Sequence, residues 1–171
     1  VVVTPTCYAG SVDDDDNVFL WTEVPNACPR NGTSFLRSVQ VLDLDDTDAD
    51  IELYFAQTKD ADATVTGALG AATAITNMTD TEVTTLKPLG MHTVPDVSHN
   101  EIADYTNSMF FLMNRALGAQ TVNIPIFSNE ATLDQIEAGN ANPGSIYVMG
   151  VATATKTYSA SGLKYYFTFE S

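Results

Sequence analysis

The stretch "VQVLDLDDTDADIELYF", residues 39 to 55, sets five aspartates between two hydrophobic runs. In the second run Ile51, Leu53 and Phe55 alternate with Glu52 and Tyr54, a period of two that places the apolar side chains on one face of an extended chain. The first run is the end of a longer one, "SFLRSVQVLDL" at 34–44. Two strands flanking an acidic reversal is the reading that follows, and it makes a hairpin turn of the aspartates.

The period of two recurs along the chain. In "LKYYFTFE", Leu163, Tyr165, Phe167 and Phe169 alternate with Lys164, Tyr166 and Thr168. Further strands are predicted over 18–24, 109–115, 121–127 and 145–154. They are separated by turn signals: "NG" at 31–32, "LG" at 117–118, "GNANPG" at 139–144 and "SASG" at 159–162. Short strands between such signals predict an all-β protein with little helix, an antiparallel β-sandwich or jelly roll. The only helix signal is "TLDQIEAG", where Thr132 and Gln135 stand at capping-box spacing and Gly139 closes the segment. Residues 58–107, rich in Ala, Thr and Asp, read as a loop-rich insertion with one or two strands. The organisation is thus an arm and first strand over 1–30 and a single β-domain over 31–171.

At 171 residues, 44% of them hydrophobic, the chain suits one domain able to bury roughly two thirds of its unfolded surface. It contains no apolar run long enough to span a bilayer as a helix. The opening "VVVTPTCYAG" lacks the basic and apolar regions of a signal peptide, although one already removed would leave no trace. With 22 acidic and 7 basic residues the net charge is −15. Such a surface repels phosphate backbones, so no nucleic-acid partner is expected, nor a membrane one. It favours solubility, and adaptation to salt would explain it equally well.

Sites of chemistry are scarce. Asp46, Asp48 and Asp50 imitate the start of an EF-hand loop, but Ile51 stands where the glycine is required and Gln57 where the bidentate glutamate belongs. Asp45, Asp46, Asp48 and Asp50 are therefore expected to form an exposed turn without a metal. "VDDDDN" at 12–17 reads as a solvated loop. Cys7 and Cys28 leave one bridge and two free thiols both open. His92 and His99, seven residues apart around Pro95, read as surface loop histidines. No nucleophile elbow, phosphate loop or dinucleotide fingerprint occurs. No catalytic, cofactor-binding or metal residue is assigned, and a non-enzymatic protein is expected.

Two segments carry a resemblance. "NGTSFLRSVQVLDLDD" followed by "IELYF", and "IYVMGVATATKTYSASGLKYYF" near the end, resemble a group of small tailed-phage virion proteins. In that group a strand ending in "VLD.DD" precedes a "DL.F" strand, and an aromatic "TY.ASG" hairpin closes the chain. The resemblance implies a capsid decoration or cement protein on the outer surface of the virion, with the major capsid protein and further copies of itself, most simply a homotrimer, as partners. It implies no cofactor. Under this reading the "VVVTPTCYAG" arm lies extended along a neighbour, and Tyr54 and Tyr166 sit at subunit interfaces. The alternative is a carbohydrate- or receptor-binding module of a tail or fibre, using aromatics such as Trp21, Tyr54 or Tyr166.

Overall fold

A computed structural model describes residues 1–29, 32–45, 51–59, 66–73, 75, 78–94, 101–105, 108–113, 124–127, 136 and 139–171. Its elements in chain order are β1 (Val2–Val3), β2 (Gly10–Val12), β3 (Asn17–Val24), β4 (Thr33–Asp43) and β5 (Ile51–Ala56). Next come helix α1 (Asp80–Leu86), β6 (Pro88–Val94), β7 (Glu101–Tyr105), β8 (Ser108–Met113) and β9 (Ile124–Phe127). The chain closes with β10 (Ile146–Ala152), β11 (Lys156–Tyr158) and β12 (Leu163–Glu170). All strand pairings are antiparallel, so the all-β expectation holds.

Three sheets result. A six-stranded sheet runs β1-β12-β4-β8-β7, with β9 also paired to β4, a four-stranded sheet runs β3-β10-β5-β6, and β11 with β2 makes a two-stranded ribbon. The two larger sheets face each other in a sandwich-like arrangement. Phe19 of β3 meets Tyr165 of β12 with ring centroids 5.4 Å apart, and Phe55 of β5 meets Phe167 of β12 edge-on at 6.2 Å. The alternation read from sequence decides which residues enter this core. Ile51, Leu53 and Phe55 are buried from one sheet and Leu163, Tyr165 and Phe167 from the other, while Glu52, Tyr54, Lys164 and Tyr166 are half-exposed. Close packing also explains Gly150, where any Cβ would overlap the Phe19 ring lying across β10.

The sequence reading of residues 39–55 needs one correction. β4 and β5 do not form a hairpin: β4 pairs with β12, β8 and β9, whereas β5 pairs with β10 and β6 in the opposite sheet. The acidic stretch links one sheet to the other. The expected closing hairpin is likewise replaced, since β10 and β12 lie in different sheets. A period of two fixes which face of a strand is buried but not which partner covers its edge, so hairpin and crossover look alike in sequence.

Residues 58–107 hold two described strands, β6 and β7, as expected, and also α1, which was not. Thr79 caps α1 by a capping box: its side chain accepts from the Glu82 N–H, and the Glu82 carboxylate accepts from the Thr79 N–H at 2.6 Å. The helix ends at Lys87 in the left-handed conformation. Buried Thr58 donates its hydroxyl to the Thr85 and Leu86 carbonyls (2.6 and 3.1 Å), satisfying acceptors that the last turn cannot. The expected helix at "TLDQIEAG" lies almost wholly outside the described residues.

Candidate functional site

The aspartates of the opening stretch have separate duties. Asp43, the last residue of β4, is fully buried and its Oδ1 accepts the Asp45 N–H at 2.9 Å. Asp45 reaches the β11–β12 link, where its carboxylate accepts the Ser159 N–H (2.6 Å) and the Ser159 hydroxyl (2.8 Å). That carboxylate lies over Gly162, where a Cβ would overlap it, and Gly162 accepts the Leu44 N–H through its carbonyl at 2.7 Å. Asp45 is thus half-buried and structural, not an exposed turn residue. Asp46, Asp48 and Asp50 lie outside the described residues. In the other acidic run, Asp16 Oδ2 accepts the Asp13 N–H at 2.8 Å, and Asp15 takes a left-handed φ of 68°. This exposed loop is clipped to Ala152 and Thr73 by backbone hydrogen bonds. Among the described residues no group of three or more His, Cys, Asp or Glu is arranged to hold a metal ion.

Both cysteines are free and buried. Cys7 is packed near Asp43, Asp45 and Tyr165; burial, helped by those carboxylates, pushes its thiol up to about 12, so it stays protonated at neutral pH and is a poor nucleophile. Cys28 borders a cleft of about 620 Å³ between the Asn26–Pro29 turn, Pro143–Gly144 and the C-terminal Phe169 and Ser171. Its thiol donates to backbone carbonyls, the nearest that of Gly32 at 3.2 Å. Among the described residues, no histidine, Asp or Glu side chain that would take the thiol proton lines the cleft.

His92 is not in a surface loop. It occupies the buried face of β6 opposite Leu53, and burial lowers its pKa. The "VVVTPTCYAG" arm is also part of its own fold. Val2 and Val3 pair with Tyr166 and Tyr165, Val3, Pro5 and Cys7 are buried, and the Cys7 N–H reaches the Ala160 carbonyl at 3.0 Å. Residues of this segment are therefore held on their own chain. His99 lies outside the described residues.

The two tyrosines part company. Tyr166 stands on the outer face of the six-stranded sheet, between Val2 and Gln40. Tyr54 stands on the outer face of the four-stranded sheet, beneath a cover formed by α1 and its flanking segment, and donates its hydroxyl to Glu52 Oε2 at 2.7 Å. With Trp21, Ile75, Met78, Leu86 and Met91 it lines an apolar pocket of about 230 Å³. Trp21 and Tyr54 were legible as outward residues of strands, but the wall that faces them was not. The signal that could have revealed it is the Thr79–Glu82 capping box ahead of Leu86.

Comparison of the chain with protein-family models, curated proteins and solved structures finds no match.

Proposed function

We propose that this chain is a non-enzymatic virion structural protein, a decoration or cement protein whose β-sandwich binds the outside of a tailed-phage capsid as a homotrimer and contacts the major capsid protein. The observation that carries this reading is the outer face of the six-stranded sheet. In a chain of net charge −15, the cross-strand rows there hold Val2, Tyr166 and Gln40, then Lys164 and Leu42. Among the described residues of β1, β12 and β4, the carboxylate on this face is Glu170 at its end, held by Arg37 at 2.6 Å. A face whose described carboxylate is a single ion-paired one at its end is where a strongly acidic protein can approach its own copies or a shell. Repetition at a symmetry axis then adds weak contacts into firm attachment.

The meeting of the two segments that carry the resemblance also supports it. β4 pairs with β12, β5 with β10, and Asp45 binds Ser159, so the two segments are joined in one structural unit. The test is co-sedimentation with capsids that lack the protein. The intact chain is expected to bind and the Gln40→Glu, Lys164→Glu double variant to lose occupancy, while Asp14→Asn in the exposed acidic loop leaves binding unchanged. Absence of binding by the intact chain would overturn the proposal.

A further inference from the structure

The pocket beneath α1 is built differently from a packing gap. It measures about 230 Å³, against an apolar cavity of about 150 Å³ that suffices to hold a benzene ring. Two walls are fixed by hydrogen bonds at their polar ends: Trp21 donates its indole N–H to Thr66 Oγ1 at 3.0 Å, and Tyr54 donates to Glu52. A third wall, Leu86, belongs to α1, whose final carbonyls Thr58 holds. Met78 and Met91 complete the lining with flexible thioether side chains that adapt to different shapes, and Met91 is about half exposed at the mouth. The polar atoms of Trp21 and Tyr54 are already engaged within the chain. A sugar ring, whose hydroxyls would lose water without finding partners, does not suit such walls.

The rim has a sign. Glu52 lies at the Tyr54 hydroxyl, 2.7 Å away, and burial together with this carboxylate raises the titration of that phenol. Lys87 stands in sequence between Leu86 and Pro88, both of which line the pocket. An apolar hole with an acidic border complements an apolar side chain that travels with a positive charge.

We propose that the Trp21–Tyr54 pocket is a receptor site for one apolar side chain that a partner protein presents beside a basic residue. The partner inserts a Phe- or Leu-sized group between Trp21, Tyr54 and Met91, and its adjacent Lys or Arg meets Glu52. The side chain displaces water from carbon surfaces and supplies affinity, while the charge selects the partner. This inference stands on the pocket alone and is independent of the capsid reading.

Trp21 is the single tryptophan, so the full chain labelled with ¹⁵N gives one indole N–H signal at the site itself. Three capped tetrapeptides serve as probes, with the central pair phenylalanyl-lysine, phenylalanyl-glutamine or phenylalanyl-glutamate; free 4-methylphenol is a fourth. A saturable shift of the indole signal is expected, with the lysine peptide binding about threefold more tightly than the glutamate peptide, the scale of one exposed ion pair. Glu52→Gln is expected to narrow that difference, and Met78→Phe, which fills the hole without adding an indole, to abolish the shift. Should Met78→Phe fail to fold, the wild-type and Glu52→Gln titrations still decide. No saturable shift, or equal affinity for the lysine and glutamate peptides, overturns the proposal. Tighter binding of 4-methylphenol than of every peptide also overturns it, in favour of a small-molecule site.

Discussion

Asp45 and Ser159, 114 residues apart in sequence, are joined by two hydrogen bonds, one from the Ser159 backbone and one from its hydroxyl. The bonds tie the link leaving β4 to the link entering β12, so the two crossings between the sheets brace each other. Because the acceptor is a carboxylate, Asp45→Ala is expected to cost about 1.5–3 kcal/mol. Gly162→Ala should destabilise as well, since the new methyl displaces the same carboxylate. In urea unfolding the double variant is expected to fall short of the sum of the single effects. Full additivity would show that the two residues do not act as a unit.

His92 makes stability depend on pH. Burial lowers its pKa in the folded chain below the ordinary value of about 6.5 that applies when unfolded, so the unfolded state binds the proton more readily. Stability is therefore full above about pH 6.5 and declines as pH falls from there toward the lowered folded value. Replacing His92 by Leu is expected to flatten that part of the profile. An unchanged slope between wild type and variant would assign it to other groups.

The thiols of Cys7 and Cys28 are expected to resist an aromatic disulfide reagent in the native state and to react together on unfolding, because both are buried and Cys7 stays protonated. Dithiothreitol should leave the Tm unchanged. A disulfide-linked peptide containing both cysteines in a proteolytic digest would contradict this.

Gly150→Ala is expected to destabilise by about 1–3 kcal/mol, since its methyl meets the Phe19 ring that packs on Tyr165. Phe19→Leu in the same chain should recover part of the loss. If Gly150→Ala alone is neutral by thermal unfolding, the ring does not lie across β10 as described.

Much of the fold was legible in the sequence because alternation is a local property. The strands read at 18–24, 34–44 and 163–170 correspond to β3, β4 and β12, with the buried face read correctly at Ile51, Leu53 and Phe55. The pairing of those strands was not legible, since it depends on residues more than a hundred positions away, as Asp43 opposite Leu163 illustrates. α1 was hidden by Thr81, Val83, Thr84 and Thr85, weak helix formers whose placement rests on the Thr79 cap and on burial of Leu86. His92 was misread because Pro95, close behind it, suggested a loop, although a proline just past the end of a strand is compatible with the strand. The pocket followed from none of these signals alone, because its walls come from strands and a helix that only tertiary structure brings together.

The capsid proposal is tested most directly by locating the protein in intact particles that carry it, by electron cryomicroscopy with symmetry imposed on the head. The expected result is density of this fold in trimers on the outer surface of the shell, with the Val2, Tyr166 and Lys164 face turned toward neighbouring subunits or the major capsid protein. Density confined to the tail, a fibre or the interior of the head, or particles whose reconstructed surface lacks this fold, would contradict it.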